Sequence, residues 1–233
     1  MRGAYHVYEY AYNEPTHESR SHGVSVQTTL VACGYLGTGV SAFFAVFLVL
    51  MSPGPIDPTT GALRYISNGM DVHCGLATAV FGTCALLLFG CQLVVCAHLE
   101  NRWALGWALL QGAGWNVVLG VSGTGWTVHY VGLALFLLSN LILNGLVSYD
   151  AHFGGRIYRC VHLLTCLSAL LFGILAAIST ASKDDPTATS VAVAFEFVML
   201  LALSAQNLCL VGALDRFEDI HLQFRLPHTS SII

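Results

Sequence analysis

Charged side chains are scarce in this sequence of 233 residues. Asp, Glu, Lys and Arg together make up 9% of the chain, whereas a soluble domain carries about 25%. The nine Lys and Arg are outnumbered by 13 Asp and Glu, a net charge of −4, so the chain lacks the basic surface on which nucleic-acid binding depends. Hydrophobic residues reach 55% and the mean hydropathy is +0.68. The composition therefore predicts an integral membrane protein and no nucleic-acid partner.

The sequence also lacks the short motifs that mark common catalytic sites. It contains no Walker sequence, no G-x-S-x-G elbow, no H-E-x-x-H and no C-x-x-C. The absence of these motifs therefore indicates no catalytic residue, cofactor or metal. An Asn-x-Ser/Thr sequon is absent too, so N-glycosylation is not expected.

All eight cysteines lie inside apolar runs or at their ends. Free cysteine is a common buried packing residue, whereas a disulfide framework belongs to short secreted domains. We interpret the cysteines as packing residues. Cys96 and Cys160 lie where spans meet the predicted cytosolic face and are candidates for palmitoylation.

The longest uncharged stretch runs from Trp103 to Tyr149, 47 residues without Lys, Arg, Asp or Glu. As one helix it would extend about 70 Å at 1.5 Å per residue, more than twice the roughly 30 Å hydrocarbon core of a bilayer. The stretch must therefore fold back. Ser122–Gly125 has the only turn chemistry within it, because glycine tolerates positive φ. The sequence predicts two antiparallel spans with a very short connection.

Four further apolar runs bring the predicted total to six transmembrane helices, in an all-α, polytopic membrane protein. Residues 52–71 are predicted to form a polar loop because prolines interrupt its first part. The polar tail 1–27 has no signal-peptide core, so we expect it to be retained; a second tail covers residues 215–233. Within the bundle of residues 28–214, the predicted spans are 29–51, 73–97, 103–122, 126–149, 158–179 and 189–214.

Basic residues are distributed unevenly between the two sides of this topology. Seven of the nine lie in the tails or near the loops after spans two and four, and only Arg64 and Lys183 lie on the opposite side. By the positive-inside rule, both termini are cytosolic and the loop 52–71 is luminal or extracellular.

Glu196 is the one acidic residue within a predicted span. A charge in hydrocarbon costs about 2.5–3.5 kcal/mol on insertion scales, so the side chain is expected to face the interior of the bundle. A structural hydrogen bond to Asn116, Asn140, Asn144 or a hydroxyl would satisfy it. The alternative is a proton relay or ion site in a small transporter.

Four histidines lie near the ends of predicted spans, His73 and His129 on the luminal side and His98 and His162 on the cytosolic side. Paired imidazoles can ligate haem, which makes a b-type haem redox protein an alternative. We prefer the interpretation that interfacial histidines reach water.

Amides within the spans are expected to form hydrogen bonds between helices, with a channel lining as the alternative. Gly112, Gly114 and Gly120 are predicted to mark close helix approach. The amides are Gln92, Gln111, Asn116, Asn140, Asn144, Gln206 and Asn207.

Several short motifs occur in the order and spacing of a known family. They are Tyr65-Ile66-Ser67, the glycine-rich third span followed by His129, Ser148-Tyr149, Glu196-Phe197, and the segment Asp215–Leu222 with Phe217. Together they resemble the DRAM/Frag/Sfk family of six-span membrane proteins, and most closely its DRAM branch, the DNA-damage-regulated autophagy modulators, over about residues 28–226. Arg64 stands where the family usually has Pro, and Phe197 where it has Trp, which indicates a divergent member.

The resemblance implies a non-enzymatic protein of lysosomes or other endomembranes that promotes autophagy. Sfk-like relatives act at the plasma membrane, so support of phosphoinositide kinase recruitment or of lipid organisation is the alternative. The implied partners are membrane lipids and cytosolic or membrane proteins. Family resemblance and polar chemistry single out Tyr65, Ile66, Ser67, His129, Glu196 and Phe217, without a catalytic role for any of them.

Overall fold

The computed structural model describes residues 26–51, 55–99, 101, 103–120, 126–150, 153–182 and 185–215. In these ranges the chain is almost entirely α-helical, with one antiparallel β-bridge between Ile56 and Leu63. Long apolar segments form helices because a helix pairs its backbone polar groups internally, as hydrocarbon surroundings require. The helices are α1 (Val26–Met51), α2 (Ile66–Val72), α3 (Cys74–His98), α4 (Ala104–Gly120), α5 (Trp126–Tyr149), α6 (Arg156–Ala181) and α7 (Pro186–Asp215).

Five helices, α1, α3, α5, α6 and α7, are long and apolar enough to cross a membrane, in agreement with the predicted class. Their ends lie within three residues of the predicted spans. The described part of α4 has 17 residues, about 25 Å at 1.5 Å per residue. A count of six spans and the orientation of the termini stay predictions, and the predicted turn Ser122–Gly125 lies outside the described residues.

The prediction of a loop over residues 52–71 is wrong for its last six residues, which are helical. In the loop before them the Arg64 amide donates to the Pro55 carbonyl (3.0 Å), and Gly61 has a φ of +71°, which glycine adopts without steric cost. α2 follows at once, and its Ile66 and Met70, one turn apart, are buried against α1 and α3. Burial of this face stabilises a seven-residue helix that would not form in isolation.

The long helices form a ring. From α3 to α7, each long helix packs on the one that follows it in the chain. α1 closes the ring because it packs on both α3 and α7. The α4–α5 and α6–α7 pairs have the most extensive contacts, as expected of neighbours joined by short connections. The α2 helix contacts α1 and α3 at the end of the ring that is predicted to face the lumen.

A close helix crossing joins α4 and α5. A Cβ atom added at Gly114 would lie 2.5 Å from the backbone nitrogen of Phe136 and 2.9 Å from the carbonyl oxygen of Gly132. The prediction that glycines of the third span mark close helix approach is therefore confirmed for Gly114. It is wrong for Gly112 and Gly120, where an added Cβ would have no described atom within 4 Å.

The amide side chains do not all join helices. Gln206 Nε2 and His162 Nδ1 lie 2.8 Å apart and link α7 to α6. The Tyr158 hydroxyl donates to Asn144 Oδ1 at 2.6 Å and links α6 to α5. Asn116 instead donates to a carbonyl one turn earlier in its own helix, at 2.8 Å. The expectation of interhelical bonds is therefore confirmed at Gln206 and Asn144 and wrong at Asn116.

The eight cysteines all lie in the described ranges and all have free thiols, as predicted, but the interpretation as packing residues is wrong for Cys74 and Cys160, which are exposed. Cys84, Cys91 and Cys96 are buried, whereas Cys160 is exposed. Of the two palmitoylation candidates, only Cys160 therefore presents an accessible thiol.

Candidate functional site

A cavity of about 530 Å³ is lined by residues of all seven helices. Along α7 it extends from Glu196 to Asn207, about 16 Å at 1.5 Å per residue. Most of its wall is apolar, and both volume and composition are those of a small-molecule site. The polar residues at the wall, apart from Trp115, are Ser41, Ser67, Gln92, Gln111, Asn116, His129, Asn140, Glu196, Ser204 and Asn207.

Residues that the sequence analysis singled out from three distant segments meet at the α2 end of this cavity. The residues that line it are Ile66, Ser67, His129 and Glu196. Tyr65 directly precedes Ile66 in the chain. The remaining candidate, Phe217, lies outside the described residues. The fold thus gathers the described candidates around one end of the cavity.

Glu196 holds the beginning of α2. Its Oε2 accepts a hydrogen bond from the Ile66 N–H at 2.9 Å. The first N–H groups of a helix have no intrahelical acceptor, and the N-cap residue Tyr65 supplies none from its side chain. The predicted inward orientation of Glu196 agrees with this contact, but the predicted partners, asparagines or a hydroxyl, are wrong. The partner is a backbone amide that only the folded loop brings within reach.

Tyr65 attaches the beginning of α2 to α6 and α7. Its hydroxyl donates to Ser179 Oγ at 3.3 Å, and Ser179 Oγ lies 2.9 Å from Thr189 Oγ1 on α7. Partial burial raises the pKa of the Tyr65 phenol above its ordinary value of 10.0, because desolvation disfavours the phenolate. Tyr65 is therefore a neutral hydrogen-bonding anchor.

Two further contacts hold α2 and the loop that precedes it. The Leu63 N–H donates to Ser190 Oγ of α7 at 3.1 Å. At Gly69 the backbone of α2 comes so close to α1 that an added Cβ would lie 3.2 Å from the Leu48 carbonyl oxygen. α2 is thus held close to α1 at Gly69 and to α7 at Ile66, and its residues line one end of the cavity.

The structure gives the surroundings of two of the four histidines on which the haem hypothesis depends. His162 is buried, with Nδ1 beside Gln206 and Nε2 3.6 Å from Cys166 Sγ. His98 Nδ1 lies 2.7 Å from the Val94 carbonyl oxygen in its own helix. In the described part of the chain, no cluster of three His, Cys, Asp or Glu could hold a metal ion. A haem held by two imidazoles needs no such cluster, so the haem hypothesis stays a prediction.

Trp115 is an aromatic residue of the cavity wall that was not predicted from the sequence. Its ring lies 6.0 Å from that of Phe81 and 4.9 Å from that of Phe136, between centroids, so it bridges α3 and α5. The spacing of four residues from Gln111 places both side chains on one face of α4. Two side chains with polar groups, Gln111 and Trp115, thus lie one turn apart on an otherwise apolar helix. This spacing is the signal that could have identified Trp115.

No family model, no curated protein and no solved structure matches this chain. The resemblance to the DRAM/Frag/Sfk family therefore stays a prediction from the motifs.

Asp57 lies in the hairpin that the β-bridge between Ile56 and Leu63 closes. We expect this hairpin to keep its structure in mild acid. Asp57 Oδ1 accepts hydrogen bonds from the Thr59 hydroxyl (2.6 Å) and amide (2.8 Å), and these bonds lower the pKa of the carboxyl below its ordinary value of 3.8. Because the pKa is lower in the folded state than in the unfolded state, the ionised carboxyl stabilises the folded turn. This stabilisation is complete above the unfolded-state pKa and is lost as the pH falls through the folded-state pKa. Protection of the Thr59 amide from hydrogen exchange, corrected for intrinsic rate, should be equal at about pH 5 and about pH 7.

The control for this experiment is Asp57→Asn, whose side chain does not titrate. Loss of protection in the natural protein already at about pH 5, with no change in the Asn variant, would contradict the expectation.

Proposed function

We propose that this protein is a six-span integral membrane protein of lysosomes or other endomembranes, which regulates autophagy or membrane traffic through lipids and protein partners without catalysing a reaction. The proposal follows the resemblance to the DRAM branch. One observation supports it: Ile66 and Glu196, from two motifs of that resemblance, are 130 residues apart and joined by a hydrogen bond. Motifs that meet in this way form one structural unit.

In this proposal α4 is the sixth span. It crosses α5 closely at Gly114 and lines the same cavity as the five longer helices. A helix in that position is enclosed by the bilayer together with its neighbours. Both termini are then cytosolic, and α2 with its hairpin faces the lumen, as the distribution of Lys and Arg predicts.

Localisation and autophagic flux, measured in the same cells, test the proposal. Tagged protein is expressed in cells that lack the native copy and is compared with lysosomal and plasma-membrane markers. We expect lysosomal residence, reduced flux in the cells without the protein, and recovery of flux with the natural sequence. Glu196→Gln, which keeps an oxygen acceptor for the Ile66 amide, should restore flux as well.

Residence at the plasma membrane with unchanged flux would contradict the proposal. It would favour the Sfk-like alternative, in which the protein supports phosphoinositide kinase recruitment or lipid organisation at that membrane.

The cavity favours a second candidate function, that of a small transporter, because Glu196 and His129 are ionisable side chains at its wall. Proton uptake by proteoliposomes that Glu196→Gln abolishes would establish this function. Equal proton permeability of protein-containing and empty liposomes would exclude it.

A further inference from the structure

Glu196 presents to the cavity one carboxylate oxygen that has no partner among the described residues. Its Oε2 accepts the Ile66 N–H at 2.9 Å, whereas its Oε1 accepts no hydrogen bond in the described part of the chain. Oε1 is not one of the unpaired polar atoms that the fold closes off completely, and the Glu196 side chain is only partly buried. Because Glu196 lines the cavity, a molecule inside it can reach this oxygen.

The cavity wall offers little positive charge to balance the carboxylate. No Lys or Arg lines the cavity, and His129 is its only basic residue. Among the described residues Glu196 is hydrogen-bonded to Ile66 alone, so His129 does not pair with it. An ionised carboxylate in surroundings of low dielectric constant is costly unless a positive charge accompanies it. The cavity therefore favours an occupant that brings a positive charge.

Aromatic rings line the cavity near this carboxylate. They belong to Phe81, Trp115 and Phe197, and the centroids of the Phe81 and Trp115 rings are 6.0 Å apart. All three rings pack in one hydrophobic cluster with Ile66, whose N–H is bound by Glu196. The faces of aromatic rings attract cations, and their apolar surface suits the body of an organic molecule. The wall around Glu196 thus combines one negative charge with an aromatic lining.

This combination selects the chemistry of the occupant. A metal ion prefers several oxygen, nitrogen or sulfur ligands, and no cluster of three His, Cys, Asp or Glu in the described residues could hold one. Glu196 would repel an anion, and a neutral molecule would leave the carboxylate charge without a counter-ion. An ammonium group carries the opposite charge, donates hydrogen bonds to a carboxylate oxygen and is attracted to ring faces.

We propose that the cavity binds one organic amine in its ammonium form, with the ammonium group on Glu196 Oε1 and an apolar body among the aromatic rings. The volume of about 530 Å³ is within the range of sites for drug-sized molecules. This inference does not depend on the proposed function, because it concerns what the purified protein binds and not where the protein acts. Failure of either leaves the other standing.

Equilibrium dialysis of the purified full-length protein in detergent micelles tests the inference, with protein-free micelles as the background. The probe is tritium-labelled phenylbutylamine, and its unlabelled competitors phenylbutanol and phenylbutyric acid share its apolar body but carry a neutral and an acidic group. We expect saturable binding of the amine. The alcohol should compete at least about tenfold more weakly, because a hydrogen bond between charged groups contributes at least that factor, and the acid should compete more weakly still.

A second amine distinguishes two sources of this chemistry. Dodecylamine has a single aliphatic chain, as a membrane amine does, whereas phenylbutylamine has a compact aromatic body. Stronger competition by dodecylamine than by unlabelled phenylbutylamine would identify a chain-bearing amine as the better occupant. Weaker competition would identify a compact aromatic amine, and either result supports the proposal.

A matched pair of variants tests the location of the ammonium group. Glu196→Gln removes the charge but keeps an oxygen acceptor for the Ile66 N–H, so amine affinity should fall at least about tenfold while the affinity for the alcohol stays unchanged. Asp71→Asn is the control, because Asp71 of α2 is exposed and does not line the cavity. It removes one negative charge nearby and should leave amine affinity unchanged. The series of polar groups needs no variant, so the proposal is tested even if Glu196→Gln fails to fold.

Several outcomes would overturn the proposal. These are amine binding that does not saturate, equal competition by amine and alcohol, natural amine affinity in a folded Glu196→Gln variant, and an equal loss of affinity in the Glu196 and Asp71 variants.

Discussion

Glu196→Lys should destabilise the folded protein by about 3–5 kcal/mol, the cost of a buried charge that has lost its partner. The natural carboxylate accepts the Ile66 N–H at 2.9 Å, whereas a lysine ammonium only donates and would leave that N–H unpaired. Because a whole protein is stable by only about 5–15 kcal/mol, we expect aggregation or a large fall in the melting temperature. Size-exclusion profiles and thermal unfolding of the detergent-solubilised protein measure this.

Two controls separate the hydrogen bond from the charge. Glu196→Gln keeps an oxygen acceptor and should cost only about 1 kcal/mol. Ile66→Pro removes the N–H, and the extended backbone of Tyr65 (φ −61°, ψ 152°) is compatible with a following proline at the first helical position. Ile66→Ala removes more of the side chain but keeps the N–H, so a melting temperature of the Pro variant below that of the Ala variant isolates the hydrogen bond. A Lys variant with a natural melting temperature would refute the assigned role of Glu196.

Gly114→Ala should destabilise the α4–α5 crossing by at least about 1–3 kcal/mol, the usual cost of an overpacked contact. The added Cβ would lie 2.5 Å from the Phe136 nitrogen and 2.9 Å from the Gly132 oxygen. Both are backbone atoms, so the helices themselves must move apart. The melting temperature of the purified protein in detergent should fall accordingly.

Gly112→Ala is the control for this prediction, since it makes the same chemical change two residues away. The added Cβ meets open space there, and alanine favours the helix over glycine by up to about 1 kcal/mol. Its melting temperature should be unchanged or slightly higher. Equal melting temperatures for the two variants would contradict the close crossing at Gly114.

Helix positions were predictable from the sequence because they depend on where apolar runs end. Pro186 begins α7 and Gly155 precedes α6, in accordance with the preferences of proline and glycine at helix boundaries. The resulting bounds differ from the predicted spans by at most three residues. The inward position of Glu196 was predictable for the same kind of reason, since charge is costly in hydrocarbon.

Features that depend on which helix face meets which were not predictable. Gly112 and Gly114 lie in the same apolar stretch of α4, yet only at Gly114 does the backbone come close to α5. The helix α2 was missed because its seven residues have too little intrinsic tendency to form a helix. Its stability comes from contacts with α1, α3 and α7, including the acceptor that Glu196 provides from 130 residues away.

The contact between Glu196 and Ile66 also joins α2 to a helix that reaches far from it. α7 has 30 residues, about 45 Å at 1.5 Å per residue, and it carries Glu196 in its first half and Asp215 at its last position. Residues 216–233 continue from the Asp215 end, so the helix that supplies the acceptor of the Ile66 N–H is also the helix on which a partner of that tail would act.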